Sequence, residues 1–243
     1  MDSENTVRFL YCGDSSLSVE FGNEISPDIN NRIRCLTDML EKKPIRGISE
    51  CIPTYRSLLI SYNPSVLSGE RLIKKLNKYI PHLTADGSQE KRIFVIPVCY
   101  DGEFAPDMDN VCKHADLSKE EVIKIHCGKD YLIYMLGFLP GFPYLGGLDE
   151  RIHTPRLESP RTSIPAGSVG IGGKQTGIYP LASPGGWQLI GRTPVKPYDP
   201  ERAEPIIYSA GDYIRFRPVP IDEYHEIKEK CDSGLYEFEV VKE

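Results

Sequence analysis

Two hydrophobic periods alternate over the first third of the chain. Residues 7–11 and 17–21 are short apolar runs of strand type, separated by the turn Cys12-Gly13-Asp14-Ser15. A helical period follows. Ser26 suits an N-cap and Pro27 a first helical position, and Ile29, Ile33, Leu36 and Leu40 then fall on one helical face. Residues 47–52 and 57–62 read as a strand pair around Pro53-Thr54. A second helix begins after Ser68, carries Leu72, Leu76 and Tyr79 or Ile80 on one side, and ends at Pro81. The order ββαββα over residues 1–83 predicts a small α+β domain, with a sheet covered by helices on one face.

Residues 84–91, TADGSQEK, are polar and rich in turn formers, and they read as an interdomain linker. A second domain, residues 92–243, opens on a strand at 92–99. A short helical region follows at 107–115. Ser118-Lys119-Glu120-Glu121 has the form of a capping box and starts a helix reaching His126. Residues 131–139 are mostly apolar and predict a buried strand. Strands at 213–217 and 236–241 flank a helix at 221–231.

Between these elements the periodicity breaks up. Glycine and proline number 21 and 20, so 41 of the 243 residues are one or the other, against an average near 12%. Residues 137–192 hold 12 of the 21 glycines. Only short apolar pieces separate them, at 168–171, 177–179 and 187–190. No helix fits there. Short strands joined by tight turns do, which suggests a β-barrel or sandwich.

Charge changes the picture little. The net charge is −6 and no basic stripe gathers, so neither nucleic acid nor an anionic membrane surface is expected as a partner. No apolar run approaches the roughly 20 residues of a bilayer span, and the N-terminus lacks a signal-peptide pattern, so a cytoplasmic protein is expected. The seven cysteines are scattered and odd in number, and they read as small buried apolar residues of a reducing compartment. Cys112 and His114 with His126 and Cys127 match no standard zinc spacing, so no metal is expected. The run Ser168 to Gln175 fails the phosphate-loop pattern, and Ala166-Gly167-Ser168-Val169-Gly170 is not a nucleophile elbow.

Four long segments nevertheless form an ordered signature. They are GFLPGFPYLGGLDERI (137–152), PR-x-x-x-PR (155–161), IPAGSVGIGGKQTGIYP (164–180) and SPGGWQLIGRTP (183–194). With DLSKEEVIKIH (116–126), Gly13-Asp14-Ser15 and PTYRSLL (53–59), they resemble the family of the 5-oxoprolinase B subunit, also called allophanate hydrolase subunit 1 or Kip inhibitor. The resemblance covers nearly the whole chain. It implies a C-terminal cyclophilin-like β-barrel and a partner of related fold, the Kip-antagonist-like C subunit. With an A subunit of another fold, such pairs cleave 5-oxoproline using ATP. Other members imply a carboxyltransferase-like role in urea or allophanate metabolism, or inhibition of a sporulation sensor histidine kinase. ATP would be used through the complex, with no nucleotide site expected in this chain alone.

Within that signature, residue chemistry picks out candidates. His126 closes a helix, whose C-terminus favours the imidazolium, so it is a candidate acid/base or anion contact; a hydrogen-bonded structural histidine is the alternative. Arg156 and Arg161 each follow a proline, and their planar forks suit a carboxylate, a phosphate or a salt bridge. Gln175, Thr176 and Tyr179 follow a glycine-rich turn, where side chains and free amides could hold an oxyanion; Ser168 is similar. Phe138, Phe142, Tyr144 and Trp187 would line the site, line a partner interface or pack the core. Arg192, at a strand end, is open between site and structure. His126, Arg161, Gln175 and Thr176 are the catalytic candidates, and the others are candidates for substrate binding.

Overall fold

The computed structural model describes residues 7–83 and 91–243. The expected linker falls almost wholly on residues 84–90, outside the described residues. The chain divides into two compact units, residues 1–89 and 90–243.

In the first unit the elements are β1 (Arg8–Tyr11), β2 (Ser16–Glu20), α1 (Pro27–Lys42), β3 (Ile48–Pro53), β4 (Ser57–Tyr62) and α2 (Gly69–Tyr79). The strands form one antiparallel sheet in the order β1-β2-β4-β3. Alternation sets its faces: Leu17 and Val19 of β2 and Leu58 and Ile60 of β4 are buried, while Ser18 and Leu59 between them are only half-buried. The buried row packs on Ile33 and Leu36 of α1 and on Leu72 and Leu76 of α2. Ser26 stands at the N-cap of α1 without a side-chain cap bond, whereas Ser68 accepts from the Arg71 amide. The helix does not stop abruptly at Pro81. It tightens into a 3₁₀ turn over Ile80–His82, where proline is tolerated near the start.

The second unit runs β5 (Arg92–Val98), α3 (Met108–Ala115), α4 (Lys119–Cys127), β6 (Asp130–Leu136), β7 (Pro143–Leu145), β8 (Arg161–Ile164), β9 (Ser168–Gly172), β10 (Gln175–Ile178), β11 (Ser183–Gly185), β12 (Gln188–Arg192), β13 (Tyr213–Pro218), α5 (Ile221–Asp232) and β14 (Val240–Lys242). Among the described residues the hydrogen bonding forms three sheets and not one closed barrel: β14-β5-β13-β6-β7, β10-β9-β12 and β11-β8. A single bridge, Cys99 to Arg192, joins the end of β5 to β12. The final strand is shorter than expected. Residues 236–239 lie outside β14, and Tyr236 and Phe238 pack edge to face at 5.3 Å instead. The cysteines are free thiols, but Cys12 is exposed and only Cys99 is fully buried, so the uniform burial expected of them fails.

The capping box of α4 is complete. Ser118 Oγ accepts from the Glu121 amide at 3.2 Å, and Glu121 Oε2 accepts from the Ser118 amide at 2.8 Å. Ser118→Ala is expected to lower unfolding free energy by about 1 kcal/mol. Denaturant titration of the two proteins checks this, with an unchanged midpoint as the contrary result.

Candidate active site

The glycine-rich signature has a structural cause that only the sheet β10-β9-β12 reveals. Val169 and Ile171 of β9 and Ile178 of β10 enter the main core of the unit. By strand alternation the residues between them face the other way, and these include Gly172 and Gly177. Trp187 lies on that second face. A Cβ on Gly172 would stand 2.3 Å from Trp187 Nε1, and one on Gly177 would stand 3.2 Å from Trp187 Cζ3 and 3.5 Å from Phe142 Cζ. The glycines are a floor left flat for an indole.

On this floor sits an aromatic cluster. Phe142 meets Trp187 at 5.7 Å, Tyr179 at 5.4 Å and Tyr144 at 5.3 Å between ring centroids, each edge to face. Phe138 touches Phe142 at 5.5 Å, stands 64% exposed, and has a left-handed backbone with φ 65°. Such a conformation in a bulky residue is strained, and it directs this ring outward from a tight turn. Burial pushes the Tyr179 phenol up to about 12, against the opposing charge of Arg156. The phenol is therefore neutral at neutral pH.

A basic rim crosses this cluster. Residues 155–161 are held against residues 185–188 by Leu157 N donating to Gly186 O at 2.7 Å, by Gln188 Nε2 donating to Pro155 O at 2.9 Å, and by the pairing of Arg161 with Gly185. This places the exposed Arg156 guanidinium 5.9 Å from the Trp187 ring centroid, a cation–π contact. Arg161 Nη2 donates to Asp107 Oδ1 at 2.7 Å. Asn110 Nδ2 approaches Gln188 Oε1 at 3.5 Å beside them. Arg156 is thus the cation set against the aromatic cluster, while Arg161 is held by Asp107.

His126 and Thr176 are elsewhere. Thr176 belongs to the core face of β10, and His126 is fully buried beneath it. Thr176 Oγ1 donates to Gly170 O at 3.1 Å, so it accepts from His126 Nε2 at 2.8 Å. Nδ1 then accepts from the Tyr100 hydroxyl at 2.8 Å. The ring stacks on Phe216 at 4.5 Å. Burial pushes the imidazole down to about 3. Desolvation opposes the imidazolium here by more than the modest benefit of a helix terminus, which agrees with the alternative of a hydrogen-bonded structural histidine. Both nitrogens are occupied by the core.

The other candidates separate similarly. The turn amide of Gly173 is no free oxyanion donor. It donates to Thr154 O at 2.8 Å, with the reciprocal bond at 3.3 Å. Gln175 is half-buried at the start of β10, paired with Gly172 across this turn. Ser168 is buried and pairs with Arg192 in the ladder. Arg192 stacks over Phe104 at 5.2 Å, away from the aromatic cluster. Sequence reasoning missed Asp107, Asn110 and Gln188. Asp107 follows Pro106 at a helix start, where its residue type reads as an ordinary cap; its carboxylate makes no cap bond. The local pattern held no signal for the long-range partner.

Comparison with known proteins places this chain. A model of the carboxyltransferase domain, subdomain C and D, matches residues 7–208. The 5-oxoprolinase B subunit of Bacillus subtilis (strain 168) is 43% identical over 239 residues, covering 93% of this chain and 100% of that protein. The crystal structure of TTHA0988 superposes with a TM-score of 0.75 at 37% identity, over 88% of this chain and 41% of that chain. The Kluyveromyces lactis urea carboxylase structure superposes with a TM-score of 0.79 at 26% identity, over all of this chain and 24% of that one. This chain thus spans well under half of either solved structure, and its fold is the mixed α/β arrangement they share. With a B-subunit relative matched end to end and the domain model covering most of the sequence, the chain belongs to the family of the 5-oxoprolinase B subunit.

Proposed function

We propose that the chain works as the B subunit of an ATP-dependent 5-oxoprolinase, together with the A and C subunits, converting 5-oxo-L-proline, ATP and water to L-glutamate, ADP and phosphate. The observation that carries this reading is the 43% identity to a protein of that name over that protein's whole length. The Trp187 cluster fits it. Its aromatic floor matches a flat five-membered lactam, and Arg156 and Arg161 match the substrate carboxylate. A lactam resists water because of amide resonance. Phosphorylating the amide oxygen would make the carbon electrophilic and supply a leaving group, which accounts for the ATP. The glycine-rich turn does not suit the nucleotide phosphates, since the Gly173 amide is used by Thr154. ATP is therefore assigned to a partner or to a site formed between subunits.

The same reading takes residues 1–83 and 92–243 as domains joined by 84–91. It takes the second as a cyclophilin-like barrel. It places the assembly in the cytoplasm, where ATP is available; no helix among the described residues is long and apolar enough to cross a membrane. A carboxyltransferase-like role is the second reading, favoured by the likeness to urea carboxylase. Reconstitution with the A and C subunits separates them. Glutamate should appear with ADP in equal amount, and only when all three subunits are present. A complete set that releases no glutamate from 5-oxoproline and ATP removes the first reading.

A further inference from the structure

Arg202 lies at the tip of a tight hairpin, closed by the bridge of Tyr198 to Ile206 and by Asp199 N donating to Pro205 O at 2.8 Å. Its side chain folds back. Nη2 donates to Pro197 O at 3.2 Å and to Pro205 O at 2.9 Å, and the guanidinium carbon stands 5.5 Å from the Phe238 ring centroid. Nε is withdrawn from solvent without an acceptor. Nη1 stays open to solvent and has no acceptor among the described residues. Two main-chain carbonyls and a ring thus hold the cation in place without neutralising it. A half-buried charge is ordinarily paired, and no carboxylate pairs with this one among the described residues.

The same arginine is one wall of an open recess of about 390 Å³, whose other walls are Phe94, Ala203, Glu204, Ile207 and Phe238. Phe94 is buried and held edge to face on Tyr208 at 6.0 Å, while Ile207 and Phe238 are half-buried. Small-molecule sites of about 300–1,000 Å³ have this make-up, apolar walls with a few placed polar groups. Glu204 is exposed and, among the described residues, has no ion pair either. The recess therefore offers one held cation, one free anion and an apolar surface between two aromatic rings.

We propose that this recess binds an α-amino acid with an apolar side chain. The side chain lies against Phe94, Ile207 and Phe238, the carboxylate accepts from Arg202 Nη1, and the ammonium donates to Glu204. Both ends of a zwitterion are then matched by charge, and the planar arginine gives the carboxylate its direction. The proposal is independent of the oxoprolinase reading, because every lining residue belongs to the second unit of this chain.

Calorimetric titration of the full chain with L-phenylalanine tests it. Binding should saturate. Phenethylamine, which lacks the carboxylate, should bind about tenfold more weakly, and Arg202→Gln should weaken L-phenylalanine by the same factor, the worth of one charge-assisted bond. L-Serine, with no apolar side chain, should also bind about tenfold more weakly. Glu204→Gln should weaken L-phenylalanine and leave hydrocinnamate, which lacks the ammonium, unaffected. No saturable heat from L-phenylalanine up to about 10 mM overturns the proposal, as does equal affinity for wild type and Arg202→Gln. Should Arg202→Gln fail to fold, Glu204→Gln at its exposed position decides: equal loss for both ligands, or loss for neither, overturns the site.

Discussion

Replacing Trp187 by alanine should lower the unfolding free energy by about 3–5 kcal/mol. The indole is 5% exposed and contacts Phe142 and Tyr179 edge to face, at 5.7 and 6.0 Å. The cost of a large-to-small change depends on whether the neighbours can collapse into the space. Here they cannot. The floor consists of Gly172 and Gly177, which have no side chains to relax, and their strands are fixed on the other face by Ile171 and Ile178 in the main core. The value should therefore fall in the upper part of that range. Circular dichroism against urea measures it, since the variant has no tryptophan to follow. A loss below about 1.5 kcal/mol would mean that the ring does not bridge floor and cluster.

That glycine floor also shows how far the sequence could be read. The helices of the first unit were legible because Ile29, Ile33, Leu36 and Leu40 repeat at helical spacing and all four are buried. The Ser118 capping box was legible because its two bonds are local. The density of glycine in residues 137–192 predicted short strands and a site, and β9, β10 and β12 lie where the apolar pieces stood. What composition could not give was the face. Glycine has no polarity to mark in or out, so the alternation that parts Thr176 from Trp187 was hidden. His126 and Thr176, named with Arg161 and Gln175 as catalytic candidates, are fully buried and bonded to each other. The strand β7 was missed because it is only three residues long and opens on Pro143, and β8 and β11 because polar residues and Pro184 dominate them and their pairing is set by distant partners such as Gly185 for Arg161. Asp107 was missed for the same reason: its two partners lie 54 and 82 residues away.

The buried histidine sets a pH limit on the fold. In the folded chain His126 stays neutral down to about pH 3, because burial opposes its charge. In the unfolded chain it takes a proton near pH 6.5, the ordinary value. Between those limits the unfolded state binds more protons than the folded one, so stability rises with pH across that window and is flat above it. This one group should change stability by up to about 1.4 kcal/mol per pH unit, and so remove about 2 kcal/mol between pH 6.5 and pH 4.5. Carboxylates titrate in the same range, so the informative quantity is a difference between two proteins. His126→Gln should be less stable at pH 7, having lost the stacking on Phe216 and the paired bonds to Tyr100 and Thr176. Its deficit should shrink steadily as pH falls, because glutamine has no proton to take up on unfolding. Urea unfolding of both proteins at half-unit steps from pH 7 to pH 4.5 measures this. Parallel curves would mean that His126 gains its proton without unfolding the core. Converging curves would place the imidazole where the geometry has it, as a neutral strut between α4 and β10.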